Sequence, residues 1–322
     1  MNKHLYRALA ALCLSVTSLA ALAAYPDRPI RLEVGFPPGT GPDIVAREVG
    51  MQLGKQIGHT VVVENKSGAG GQIAAFSVAH AKPDGYTILL GEVGSISIAP
   101  ETTSKLPYKP LQDFVPITEA VLANFVLVTP ANSPYKDLHA FVEGARRSKT
   151  SFNMATFGAG TPGHFGAEML AEAGGFKVEP VHYRSTGDAV QAIIAGQVQG
   201  AFLTTAMARP QIIAGRMRGL AITGAQRSGL LPDIPTFAQQ GLSSVDFGAW
   251  FAFLAPAGTP TDRLDTLNKQ IRQALRQQEV SDTLKGDGFD IIGSSRADMD
   301  KLMRSEQRKW AQQVRKTGFR IN

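Results

Sequence analysis

Short β-branched runs alternate with helix-length amphipathic segments along most of the chain, and that alternation restricts the fold more than any other feature. Segments 30–36, 60–64 and 86–90 read as strands, with helices at 42–56 and 71–81 between them. After an irregular stretch rich in Ser and Pro, the grammar resumes. Strands are expected at 125–128, 152–156, 178–182, 200–203 and 219–223, and helices at 138–147, 163–173, 189–195 and 206–214. Such alternation predicts an α/β fold of parallel sheets covered by helices on both faces. The C-terminal part differs. After a strand at 247–254 come helices at 261–277, 280–285 and 296–317, with Leu264, Leu267, Ile271 and Leu275 on one face and only a short strand near 290–292. A helical tail of this kind must pack on a sheet formed earlier. The expected organisation is therefore two lobes, residues 25–124 plus 249–322 forming lobe 1 and residues 125–248 inserted as lobe 2. Two chain crossings then make a hinge, and the cleft between the lobes is the natural ligand site.

Residues 1–24 read as an export signal. Lys3 and Arg7 form a positive start, residues 8–24 carry no charge, and Ala21 and Ala23 flank Leu22 in the pattern a signal peptidase accepts. Cleavage is expected after Ala23 or Ala24, leaving a periplasmic protein. Cys13, the single cysteine, falls within this leader, so the mature chain has no disulfide, no zinc–cysteine site and no thiol nucleophile. Removing Lys3 and Arg7 lowers the formal charge from +6 to +4, too diffuse a bias for nucleic acid.

Two glycine-rich loops follow strands and open helices. The first is Phe36-Pro37-Pro38-Gly39-Thr40-Gly41-Pro42-Asp43; the second is Thr156-Phe157-Gly158-Ala159-Gly160-Thr161-Pro162-Gly163-His164. In each, glycines let backbone N–H groups converge at the positive end of a helix, a geometry that binds an anion. Neither loop contains Lys or Arg, so an anion there is neutralised by N–H dipoles. Gly158, Gly160 and Gly163 also match G-x-G-x-x-G, but Pro162 interrupts that dinucleotide fingerprint and Glu179 comes early for a ribose acid. The six histidines (His4, His59, His80, His139, His164 and His182) show no metal-ligand spacing, and there is no G-x-S-x-G elbow. Neither metal, cofactor nor catalysis is expected.

Ordered motifs then point to a family. Tyr25-Pro26-Asp27-Arg28-Pro29-Ile30, the first loop, Val61-Val62-Val63-Glu64-Asn65, Gly68-Ala69-Gly70-Gly71 and Pro83-Asp84-Gly85-Tyr86-Thr87 occur in sequence. Leu106-Pro107-Tyr108, Asp113-Phe114, Ala195-Gly196-Gln197-Val198-Gln199, Leu231-Pro232-Asp233-Ile234-Pro235-Thr236 and Leu254-Ala255-Pro256-Ala257-Gly258-Thr259-Pro260 follow. The mature chain resembles the Bug family, solute-binding proteins of tripartite tricarboxylate transporters. The resemblance implies a type II periplasmic-binding-protein fold whose lobes close on a small carboxylate, and delivery of that solute to membrane permease subunits, or presentation to a sensor, by a monomer. The family holds a carboxylate between the two loops, which places Phe36, Gly39, Thr40, Gly41, Asp43, Thr156, Gly158, Ala159, Gly160, Thr161 and His164 at the ligand. Each charge-assisted hydrogen bond contributes roughly 1.5–3 kcal/mol net. Three or four approach the roughly 8 kcal/mol of a micromolar complex before closure costs.

Two departures bear on the ligand. Relatives usually carry a Thr-Ser-Gly-Thr-like run after the third strand, where this chain has Glu92-Val93-Gly94-Ser95. They commonly have Phe-Asp-Asn after the Gln199 motif, where this chain has Phe202-Leu203-Thr204. Glu92 and Ser95 are thus candidate ligand residues, with Tyr183, Arg184 and Thr204 lining the second lobe. A cleft-facing Glu92 would repel a second carboxylate and favour a monocarboxylate with an amine or ring N–H. Trp250 and Phe251 are expected to pack at the hinge.

Overall fold

The computed structural model describes residues 25–150, 152–183 and 186–321; the leader and Arg184 lie outside the described residues. Its elements run β1 Ile30–Val34, α1 Gly41–Ile57, β2 Val61–Asn65, α2 Gln72–Ala79 and β3 Thr87–Glu92, then two short helices, α3 Ala99–Thr102 and α4 Pro110–Asp113. The long strand β4, Phe114–Pro130, leads into α5 Leu138–Arg147, β5 Phe152–Thr156, α6 Pro162–Gly174, β6 Val178–His182, α7 Thr186–Ile194, β7 Gly200–Thr204, α8 Thr205–Ile213 and β8 Met217–Ile222. The chain closes with β9 Gly248–Pro256, α9 Thr261–Leu275, α10 Gln278–Gly286, β10 Phe289–Ile291 and α11 Arg296–Thr317.

The helix boundaries follow local chemistry. Thr40 and Thr161 sit extended at the N-caps of α1 and α6, with Pro42 and Pro162 in the first turn, where a missing N–H is harmless. Ser295 caps α11 by accepting from the Asp298 amide, and Gly58, Gly175 and Gly318 end α1, α6 and α11 in the left-handed conformation.

The parallel part of the expectation is met by β2-β1-β3 in one half and β6-β5-β7 in the other. The middle is different. β9 runs antiparallel to β3 and β4, and β4 runs antiparallel to β7, β8 and β10. The sheets are therefore mixed, because β4 and β9 are direct crossings between halves with no helical crossover to turn them parallel. β4 is the shared strand. Its first part pairs with β9 as far as Asn124↔Gly248, and its last part pairs with β7 and β8 from Phe125↔Thr204 and Val126↔Ile222 onward. Only 125–128 of this strand is predicted from the sequence. Register shifts between Pro116 and Thr118 and between Glu119 and Val121 interrupt the period of two that would reveal the rest.

A large apolar core covers the β1–β3–β9–β4 half and continues into the other, and a second cluster around Val126, Ala155, Leu203 and Ile222 fills the β5–β8 half. Phe125, Phe247 and Phe202 pack in sequence at the crossing, the first pair tilted and the second edge-to-face, with centroids 5.1 Å apart at each step. Trp250, opposite Leu122 of β4, is buried beside this crossing.

Candidate functional site

Strand direction decides which loops can meet. β1 and β3 are parallel, so Val34 and Glu92 end at the same edge of the first sheet. β5, β6 and β7 are parallel, so Thr156, His182 and Thr204 end at one edge of the second. Glu92 pairs with Phe251, Phe251 with Val121, and Thr204 with Phe125. The β7 edge thus abuts residue 125 of β4, and the β3 edge reaches residue 121 through β9, so the loops beyond both edges open at the same crossing. Open α/β sheets bind ligands outside the carboxyl ends of their strands.

The first loop is held from within. A methyl on Gly35 would lie 2.4 Å from Gly71 Cα, so the loop leaves β1 where only glycine fits, and Gly39 has φ +79°. Asp43, 2% exposed, organises the turn. Its Oδ2 accepts from the Gly39 amide (2.8 Å) and Arg47 Nε (2.9 Å), and its Oδ1 from Asn65 Nδ2 (2.8 Å). Asn65 Nδ2 also donates to the Phe36 carbonyl, and Thr40 Oγ1 to the Pro37 carbonyl. Burial works against the Asp43 charge, but the hydrogen bonds from Arg47, Asn65 and Gly39 outweigh it and hold the carboxyl below the usual range. Asp43 and the Thr40 hydroxyl therefore shape the loop.

Glu92 and Ser95 stand beside this loop. Gly71 lies between Phe36 and Ser95, whose side chains would each come within 3.4 Å of a methyl placed on it. Glu92 is buried, and both its oxygens are occupied at 2.7 Å, Oε2 by the Gly94 amide and Oε1 by the Ser95 amide. Burial raises its pKa to about 6, with those two amides opposing the rise. The Tyr108 hydroxyl donates to the Ser95 carbonyl (2.8 Å), fixing the turn from behind.

The second loop is built around a histidine. His164, 4% exposed, accepts from the Gly160 amide through Nδ1 at 3.0 Å, which puts the ring proton of the neutral form on Nε2. Burial, then the neighbouring His182, lowers its pKa to about 4. Thr161 Oγ1 donates to the Gly158 carbonyl (2.8 Å), and Gly158 and Gly160 adopt φ +117° and +75°. Thr156 Oγ1 lies 2.6 Å from His182 Nδ1, and the Tyr183 amide donates to the Thr156 carbonyl. Tyr183 itself is half-buried against the second apolar cluster, and Thr204 is the N-cap of α8.

Four features near the loops carry no local sequence signal. Phe319 meets the His164 ring edge-on at 4.8 Å, and a methyl on Gly160 would lie 3.1 Å from Ile321 Cδ1. Ile321 in turn donates its amide to the Thr102 carbonyl (2.7 Å), tying the second loop to α3. On the other side, the Phe289 ring covers Gly41, and Asn124 Nδ2 donates to Asp290 Oδ2 at 2.6 Å. Among the described residues, no group of three or more His, Cys, Asp or Glu is placed to hold a metal ion, and no helix is long and apolar enough to cross a membrane.

Two α/β lobes sharing crossing strands, with glycine-rich loops opposed at the carboxyl edges, define a periplasmic solute-binding protein. The chain belongs to the TctC family: residues 45–319 match the tripartite tricarboxylate transporter family receptor. It is 33% identical over 98% of its length to the UPF0065 protein in the tcbD-tcbE intergenic region of Pseudomonas sp. strain P51, covering 95% of that protein. Among solved structures, it resembles MatC from Rhodopseudomonas palustris with bound malate (31% identity, TM-score 0.78, covering 90% of this chain and all of that one). It likewise resembles the periplasmic binding protein BugD (30% identity, TM-score 0.78, covering 92% of this chain and all of that one).

Proposed function

We propose that the protein captures a small carboxylate between its two glycine-rich loops and delivers it, as a monomer, to the permease subunits of a tripartite tricarboxylate-type transporter. Residues 1–24 direct export to the periplasm. The lobes divide at 124/125 and 248/249, where β4 and β9 pass from one half to the other. The observation that carries the reading is the opening of both carboxyl edges at the same crossing, the β7 edge at residue 125 of β4 and the β3 edge at residue 121 through β9, each edge bearing a glycine loop without Lys or Arg. Malate in the MatC structure supports a carboxylate as the ligand class.

The Gly41 amide of the first loop and the Gly158, Ala159 and Thr161 amides of the second supply the donors, while Asp43 and His164 hold the loops in shape by accepting from the Gly39 and Gly160 amides. Such pre-set dipoles are not reorganised when the anion arrives. The ligand is a monocarboxylate that also bears an amine or ring N–H. Because the Glu92 carboxylate already accepts two backbone amides, it acts on the ligand by its charge rather than by contact.

A thermal-shift series on the mature chain against mono-, di- and tricarboxylates, amino acids and aromatic acids tests the reading. At 100 Kd a bound ligand stabilises by about 2.7 kcal/mol, a rise in Tm of several degrees for a chain of this length. A flat response to every acid, or turnover of one of them, would overturn it.

A further inference from the structure

A cavity of about 360 Å³ opens at the crossing, lined on one side by Thr205 and Ser228 and on the other by Lys285, Phe289 and Asp290, with Asn124 between them. Three observations connect it to the ligand loops. The Phe289 ring that forms part of its wall also covers Gly41 of the first loop, 3.1 Å from where a methyl would stand. Thr205 directly follows Thr204, the end of the strand beside Phe125. A methyl on Gly288 would lie 2.9 Å from the Ala206 amide nitrogen, so the two halves already touch at the cavity's edge. Its size suits the remainder of a small solute whose acid group lies between the loops.

The polar groups of this wall are unlike those of the loops. The loops offer N–H donors to an anion. The cavity offers a carboxylate, Asp290, open to solvent and oriented by the 2.6 Å hydrogen bond from Asn124 Nδ2 to its Oδ2. That bond leaves Asp290 Oδ1 with no hydrogen bond to a protein side chain among the described residues. Glu92, by contrast, has an internal amide on each oxygen.

We propose that the cavity is the distal end of the ligand cleft, and that Asp290, held by Asn124, receives an ammonium or other N–H donor on the far part of the solute. The inference rests on the carboxylate reading above and moves the source of nitrogen selectivity from Glu92 to β10. Lys285, in the same wall, opposes a cation there and moderates the preference. A solute ending in a second free carboxylate instead meets Asp290 as a like charge, which disfavours it.

The test is isothermal titration calorimetry on the mature protein with matched probes, 4-aminobutyrate against butyrate and 4-aminobenzoate against benzoate. The amino member of at least one pair should bind about tenfold or more tightly than its partner, a difference of about 1.4 kcal/mol. In Asp290→Asn that ratio should fall below about threefold, and in Lys285→Met it should rise severalfold. Lys285 is exposed on α10, so the second variant remains informative if the first folds poorly. Equal binding within both pairs, a ratio that survives Asp290→Asn, or one that does not rise in Lys285→Met overturns the proposal and leaves carboxylate capture standing. Failure of all four acids to bind overturns carboxylate capture itself, and this inference with it.

Discussion

At the residue scale, two buried side chains set the loops, and neither needs to touch solute to control it. Asp43 satisfies the Gly39 amide and joins α1 to β2 through Asn65 and Arg47. Asp43→Ala leaves buried donors without a partner and should cost about 2–3 kcal/mol of stability. Urea unfolding measures that cost, and titration of the same variant should show weaker ligand binding. His164 makes a pH-dependent contribution. The unfolded chain binds a proton at this ring below about pH 6.5, whereas the fold keeps it neutral to about pH 4, so stability falls as pH drops through that interval. Glu92 acts in the opposite sense. Its folded pKa of about 6 exceeds the ordinary 4.5, so it lowers stability as pH rises between those values. Urea midpoints from pH 4 to 7.5 should show a shallower acid limb for His164→Asn, which retains an acceptor for Gly160, and loss of the opposing slope for Glu92→Gln. Slopes identical to wild type in both variants would contradict the assignments.

At the element scale, each strand-to-helix loop depends on particular glycines for different reasons. Gly39 has a left-handed φ but open space where a side chain would go, so Gly39→Ala should cost only about 1–2 kcal/mol from backbone conformation. Gly35 has no such space; a methyl would press on the Gly71 backbone, and Gly35→Ala must shift the Gly71 turn and the neighbouring Phe36 and Ser95. Gly35→Ala should therefore lower Tm further than Gly39→Ala, as differential scanning calorimetry of the pair would show. The loops and most helices were legible in the sequence because caps, prolines and apolar spacing are local signals. The first eleven residues of β4 were not, since its two bulges break the alternation by which a strand is recognised.

At the scale of the whole molecule, the C-terminal segment joins the halves. α11 packs on β4 and α3, yet Trp310 and Phe319 also pack on Phe165 of α6, Lys316 pairs with Glu172, and Ile321 bridges Gly160 to Thr102. Truncation after Gly318 removes Phe319 from beside His164, and loss of that packing should cost about 1.5–3 kcal/mol. Calorimetric titration should show the truncated protein binding its carboxylate at least about tenfold more weakly, equivalent to about 1.4 kcal/mol. Hydrogen exchange should speed up at residues 158–164 with the first loop unchanged. Equal exchange in both loops would mean that the tail acts on global stability rather than on the second loop.

The sequence alone determined the α/β alternation, the helix ends, the two glycine loops and the family resemblance, all carried by signals between residues close in the chain. Only the tertiary structure decided that β4 and β9 run antiparallel, that Glu92 turns its carboxylate onto its own backbone, and that Phe289 and Phe319 stand beside loops more than a hundred residues earlier. Those outcomes depend on strand order and direction across the crossing. Neither is encoded in any short stretch of residues.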